Sequence, residues 1–174
     1  MEKLTPVQQK FILHWGEMGV RWGINRTMAQ MHALLYLSPA PLHADDICAA
    51  LGVARSNVSN SLRELQNWGI VKIVHVMGDR RDHFESMADV WEMFRQVLDE
   101  RKKREIDPTV EVLRACVEAT AKDKDKPTHE RLVAMRDFFE TMSEWYDQID
   151  ALPTPAVIKF VQLGGKVAKW VGTK

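Results

Sequence analysis

Residues 45–65 of this chain read DDICAALGVARSNVSNSLREL, and this stretch decides the fold. Two short helical patterns flank Gly52, and glycine is the residue that most easily lets a chain reverse between helices. The apolar positions that share one side of this corner are Ile47, Leu51, Val53, Val58, Leu62 and Leu65. Because they can form one compact core, the stretch predicts a helix–turn–helix, with helices over about 44–51 and 55–68.

The second helix of the corner carries an unusual set of residues on its other face. With the apolar positions buried, the side chains that must point outward are Arg55, Ser56, Asn57, Ser59, Asn60 and Arg63. A solvated helix face usually mixes Glu with Lys, whereas short polar side chains let a helix enter the major groove of DNA. Arginine can then reach guanine edges or phosphates. This face therefore favours DNA recognition over a merely solvated surface.

A β-hairpin is predicted directly after the corner. The β-branched run 70–76 reads as a strand, 77–81 (MGDRR) as a turn and 82–85 (DHFE) as a return strand. Arg80 and Arg81 then lie at the hairpin tip, beside the duplex backbone or in the adjacent minor groove. Asp79 is expected to orient Arg81 through a charge-assisted hydrogen bond. A hairpin in this position makes the corner a winged helix–turn–helix.

The charge balance sets a condition on this interpretation. The whole chain has 24 Lys and Arg against 24 Asp and Glu, and no overall positive field attracts nucleic acid. DNA binding therefore requires the cations to converge on one face, with moderate affinity for each protomer and hence a homodimer. The neutral balance leaves open an alternative, a winged-helix module that binds protein partners through its C-terminal helices.

The rest of the chain is predicted to be helical, which makes the fold mainly α with a small β wing. The expected regions are N-terminal helices over 1–41, the winged helix–turn–helix over 42–86 and a C-terminal helical region for dimerisation and effector binding over 87–174. Two apolar stripes are expected to hold the dimer on a pseudo-palindromic operator. They comprise Phe11, Ile12, Trp15 and Met18 near the N-terminus, and Val157, Ile158, Val161, Val167 and Trp170 in the tail.

Part of the chain resembles a known family. The corner LGVARSNVSNSLRELQNWGIVKIV and the wing GDRRDHFE resemble MarR-type winged-helix regulators. The upstream stretch WGEMGVRWGINRTMAQMHALLYLSPAPL is similar to their GbsR-like branch, which is associated with osmoprotectant and transport genes. The resemblance covers about residues 8–90 and implies a homodimeric transcription regulator with interlocked terminal helices. It implies a recognition role for Ser56, Asn57, Ser59, Asn60 and Arg63, with Arg81 in the wing.

The sequence departs from that family at the start of the recognition helix. Ala54 stands where a capping serine is common, so the helix is expected to use Ser56 as its cap instead.

The tryptophans admit two interpretations. Six of them are many for this length, and aromatic walls can hold a choline-like or betaine-like quaternary ammonium effector by cation–π attraction. Trp15, Trp22 and Trp91 are the candidates for such an effector pocket. Filling of the core and of the dimer interface is the commoner use of tryptophan, and it is the interpretation that we favour.

Other chemistry finds little support in the sequence. His43, Asp45, Asp46 and Cys48 are neighbours, but helical geometry does not bring them to one metal-sized point. The chain has no glycine-rich phosphate loop and no nucleophile elbow, so neither an enzyme nor a cofactor is predicted. The basic run 101–104 is read as a solvated face, with an accessory phosphate contact as the lesser alternative.

The expected location is the cytoplasm. The two cysteines, Cys48 and Cys116, lie far apart and fit a reducing compartment. No apolar run is long enough to span a bilayer, and residues 1–11 lack the apolar core of a signal peptide.

Overall fold

The computed structural model describes residues 4–122 and 126–170, of which 164–170 are described by their backbone alone. The helices are α1 (Pro6–Arg21), α2 (Arg26–Leu37), α3 (Ala44–Leu51), α4 (Arg55–Asn67), α5 (Val90–Arg101), α6 (Asp107–Thr120), α7 (Lys126–Asp150) and α8 (Thr154–Trp170). The strands are β1 (Leu42–His43), β2 (Val71–Val74) and β3 (His83–Ser86). The chain forms two compact units, residues 1–96 and 97–174.

Helix α2 is the core of the first unit. Its positions 28–35 are buried almost without interruption, apart from the half-buried Gln30, and α2 packs against α1, α4 and β3. A helix that is apolar all round is a central one, and Met31 has no exposed surface. One polar residue, His32, is buried among these apolar neighbours, with its Nε2 3.3 Å from Oγ of Ser86 on β3. Burial lowers the pKa of His32 from 6.5 to about 4.

Close packing of α1 on α2 depends on two glycines of α1. A Cβ atom at Gly16 would lie 2.5 Å from Cγ of Gln30, and one at Gly19 would lie 2.5 Å from Cβ of Ala29. A larger residue at Gly16 would require the Gln30 side chain to move, and one at Gly19 would push the two helices apart. The glycines that weaken α1 by propensity therefore let it approach the core helix.

The helix–turn–helix prediction is confirmed in its boundaries and in most of its core. Helices α3 and α4 cover 44–51 and 55–67, and Gly52 ends α3 in the left-handed region with φ 64°. Of the six predicted core positions, Ile47, Val58, Leu62 and Leu65 are buried, whereas Leu51 and Val53 are half-buried. The two exceptions flank Gly52, where the chain reverses at the surface.

The wing belongs to a three-stranded antiparallel sheet with the order β1–β3–β2. Strand β2 is shorter than the predicted 70–76, and β3 matches the predicted return strand to within one residue. Strand β1, in which Leu42 pairs with Phe84 and His43 with His83, was not predicted. Two residues are too few to show a strand period, so β1 exists only through its pairing with β3.

The second unit is built from helices alone. A π-helical turn over Lys102–Ile106 joins α5 to α6 without a break. Lys102 of this turn donates to Oδ1 of Asp107 at 2.9 Å and lies 3.3 Å from Oδ1 of Asp147 on α7. Helices α6 and α7 pack against each other. Among the described residues, no helix is long and apolar enough to cross a membrane.

Candidate nucleic-acid interface

The polar face of α4 is exposed in full. All six side chains that the sequence assigned to it, from Arg55 to Arg63, are exposed, while Val58, Ser61, Leu62 and Leu65 are buried beneath them. Glu64 is the single acidic residue of the helix. The face therefore presents hydroxyls, amides and guanidinium groups to solvent, which are the groups that pair with base edges and phosphates.

The expectation that Ser56 caps α4 is wrong. Ala54 occupies the N-cap position, and no side chain forms a capping hydrogen bond there. Ser56 lies one residue inside the first turn, because the helix begins at Arg55. The Ser56 side chain accordingly stays on the exposed face together with Asn57 and Asn60.

The wing tip is a tight turn that is held by hydrogen bonds between Asp79 and Arg81. The amide of Asp79 donates to the carbonyl of Val76 at 3.0 Å, and Gly78 supplies the positive φ of 84° that this turn requires. Oδ1 of Asp79 accepts from the Arg81 amide at 3.0 Å and from its Nε at 2.9 Å. One carboxylate thus fixes both the backbone and the guanidinium of Arg81.

Asp79 and Arg81 shift each other's pKa. Hydrogen bonds from the Arg81 side chain and amide hold the pKa of Asp79 well below its usual range. The Asp79 carboxylate in turn raises the pKa of Arg81. The predicted geometry of this pair is present in the structure, while its role toward DNA remains a prediction.

Of the four arginines in the predicted site, two are paired with carboxylates and two are not. Arg55 lies 3.4 Å from Asp45 at the start of α3, and Arg81 is bound to Asp79. Asp45 and Asp46 also act electrostatically on Arg81. Within the described residues, Arg63 and Arg80 have no carboxylate at ion-pair distance, so that their guanidinium groups are available to an anionic ligand.

Two histidines that were not predicted as site residues support this surface. Nδ1 of His43 accepts from the Asp45 amide at 3.2 Å, and Asp46 accepts from the His43 amide at 3.3 Å, which caps α3. His83 supports the wing from below, where its Nδ1 donates to the Arg81 carbonyl at 3.0 Å. The spacing of His43 and Asp46 matches that of a capping box, but histidine is a rare cap and gave no clear signal.

Two of the three tryptophans of the candidate effector pocket are in ring contact with each other. The rings of Trp15 and Trp22 lie 5.4 Å apart edge to face, and Phe11 stacks on Trp15 at 5.5 Å. No ring contact joins Trp91 to them in the described part of the chain.

The fold and this surface define a winged-helix protein with additional helices. Residues 22–82, about a third of the chain, match the sequence model of the MarR family, a family of transcription regulators. This segment is therefore similar to the winged helix of MarR-type proteins.

Solved structures resemble this chain to different degrees. A crystal structure described as a transcriptional regulator superposes with a TM-score of 0.69 at 20% identity, over 90% of this chain and 99% of that one. A mutant of S. aureus MepR bound to an oligodeoxyribonucleotide gives 0.40 at 15% identity, over 80% and 92% of the two chains. A transcriptional regulator from Thermotoga maritima gives 0.40 at 16%, over 80% and 91%. The first of these shows the fold; a search of curated proteins finds no match.

Proposed function

We propose that this protein is a cytoplasmic, sequence-specific DNA-binding regulator of transcription. The observation that carries the proposal is the exposed face of α4, with two arginines, two serines and two asparagines around a buried apolar side. Such a face has no role in the protein's own core, and it matches the donors and acceptors of the major groove.

The exposed face of α4 and the wing would contact different parts of the DNA. Helix α4 would lie in the major groove, where Asn57, Asn60 and Arg63 read base edges. Arg80 and Arg81 would contact phosphates or the adjacent minor groove, with Arg81 held in place by Asp79. Asp45 and Asp46 weaken the positive field at this surface, which favours binding by two protomers at once.

We propose a homodimer, and the best candidate seam is on α7. Met135, Phe138, Met142 and Trp145 follow one another at steps of three and four residues, and each is 45–58% exposed. The positions beside them on this face, Ala134, Thr141 and Gln148, are uncharged, and Arg131 lies on the same face one turn before Met135. An apolar stripe of this length is normally covered by a partner, and an identical helix would fit it by symmetry.

The stripes expected from the sequence contribute less to such a seam. Ile12 is buried and Phe11, Trp15 and Met18 are half-buried within the protomer, and Val157 is buried as well. Ile158 is half-buried and Val161 is exposed, while the side chains of Val167 and Trp170 lie outside the described residues. In sedimentation, Phe138→Glu should shift the protein toward monomer, whereas Glu144→Lys, on the same helix but outside the stripe, should not. Deletion of residues 155–174 tests the tail in the same way.

Three finer assignments belong to the same proposal. Repression requires only that the operator be occupied, and it is the mode of regulation that we propose. The stretch 15–42 supports the GbsR-like branch. The paired rings of Trp15 and Trp22 support a quaternary ammonium effector. Titration with choline and with glycine betaine, followed by tryptophan fluorescence, should then give a saturable change that Trp15→Leu abolishes.

The experiment that tests DNA binding is a gel shift with genomic fragments across a salt series. A regulator should select a small set of fragments, and its affinity should fall steeply as salt rises because phosphate contacts release counterions. Failure to retain any fragment at low salt would favour the alternative, a winged-helix module that binds protein partners.

A further inference from the structure

The apex of the wing is apolar, although basic residues follow it. The four-residue turn 76–79 closes through the hydrogen bond from the Asp79 amide to the Val76 carbonyl, and Met77 is the second residue of this turn. Its side chain is fully exposed, at 102% of the reference surface. Among the described large apolar side chains, none is more exposed.

The turn that carries Met77 is held on both sides. Gly78 adopts φ 84°, which other residues rarely adopt, and Asp79 is bound to the Arg81 amide and guanidinium. Below the turn, His83 is buried and donates to the Arg81 carbonyl. The backbone that carries Met77 is therefore fixed by hydrogen bonds, and only the side-chain torsions of Met77 remain free to change.

Water is a poor environment for this side chain, and no described residue of the protomer covers it. Arg80 and Arg81 lie three and four residues further on, and both are exposed. Their cations would bring the apex to a phosphate backbone. An unbranched thioether adapts to irregular apolar surfaces, and apolar side chains can insert between base steps from the minor groove.

We propose that Met77 is a specificity-determining residue that presses into the minor groove as an apolar wedge, while Arg80 and Arg81 hold the flanking phosphates. This inference rests on the proposed function. Sites with a flexible pyrimidine–purine step under the wing would be preferred, because such steps unstack at the lowest energetic cost. In a dimer, each protomer would make one such contact, and the two contacts would lie on opposite sides of the operator centre.

The test uses a genomic fragment retained by the wild-type protein in the gel shift. Met77→Ala should weaken binding about tenfold with an unchanged salt slope, because apolar contact is lost and no charge is removed. Met77→Leu should bind within about twofold of wild type, since it keeps the apolar volume. Ile73→Ala is the matched control, as Ile73 is also an exposed apolar residue of the hairpin but lies on β2, away from the apex.

Permanganate reactivity of thymines in the complex reports unstacking directly. Wild type and Met77→Leu should make thymines under the wing reactive, and Met77→Ala should not. Equal affinity and equal reactivity for wild type and Met77→Ala would overturn the wedge while leaving DNA binding intact. Equal losses for Met77→Ala and Ile73→Ala would also overturn it, because the hairpin fold and not the apex would then be at fault. If wild type retains no fragment, it is the proposed function that fails.

Discussion

The two units of this protein differ in how far their main apolar helices, α2 and α7, are buried. In the first unit, α2 buries seven residues between Met28 and Leu35. In the second unit, α7 is twice as long and has no buried residue, while Met135, Phe138, Met142 and Trp145 face solvent. The first unit therefore has a core of its own. The second buries few apolar residues and has an apolar surface of the kind that a partner commonly covers.

The same contrast holds for the cations. The basic run of residues 101–104 is neutralised within its own unit, by the pairs Arg101–Glu105, Lys102–Asp107, Lys103–Asp99 and Arg104–Glu100. These pairs favour the solvated-face interpretation of the run over a phosphate contact. In the first unit, Arg63 and Arg80 have no such partner among the described residues. Lack of a carboxylate partner therefore distinguishes Arg63 and Arg80 from the basic run 101–104 and leaves them available to an anionic ligand.

The largest effect should come from the core of the first unit. Met31→Ala removes a fully buried side chain and should lower the free energy of unfolding by about 2–5 kcal/mol, because it leaves a cavity. Phe138→Ala on α7 should change monomer stability by less than about 0.5 kcal/mol, since the side chain is exposed. Denaturant unfolding at low protein concentration measures both. Equal losses for the two variants would contradict the contrast between the units.

The next effect is on DNA affinity, and it compares an arginine without a carboxylate partner with one that has such a partner. Arg63→Ala should cost about 1–3 kcal/mol at a selected site and much less on unrelated sequence, because a base contact is lost. Arg104→Ala should leave both affinities unchanged, since that cation is engaged by Glu100. Fluorescence anisotropy with the two DNAs provides the measurement. If Arg63→Ala weakens binding to both DNAs equally, Arg63 contacts phosphate and not a base.

Acid should destabilise the protein through His32. Its pKa is about 4 in the folded chain, below the value of about 6.5 in the unfolded chain, so the unfolded state binds more protons between these values. The contribution of neutral His32 is complete above pH 6.5 and is lost as pH falls toward 4, by about 2 kcal/mol between pH 7 and pH 5. Chemical denaturation at the two pH values should show this loss, and His32→Gln should remove most of it. An unchanged pH dependence in the variant would assign acid sensitivity to other groups.

The smallest effect should come from the braced arginine of the wing. Arg81→Ala should weaken DNA binding and reduce the salt slope by about one unit, as for one phosphate contact. Asp79→Ala should weaken binding less, because Arg81 keeps its charge but loses the carboxylate that positions it. A salt series of binding constants separates the two variants. Normal binding by both would leave the wing without a role.

The corner could be predicted from the sequence because its signals are local. Apolar positions at helical spacing on either side of Gly52 specify two helices, and the same pattern specifies which face of α4 is exposed. The Asp79–Arg81 pair was likewise predictable, since two residues of one turn cannot lie far apart. The GDRRD turn and the β-branched run before it also located the wing.

The remaining features depend on contacts between distant parts of the chain. Strand β1 forms because Leu42 meets Phe84, and the partners of His32 and Arg55 are Ser86 and Asp45. None of these three pairings has a sequence period, because each joins elements that meet only after packing. The sequence by itself therefore determined the winged helix–turn–helix and its polar face, through short-range periodicity. Only the tertiary structure decided which apolar stripes are buried in the protomer and which arginines remain open, since both depend on what packs against them.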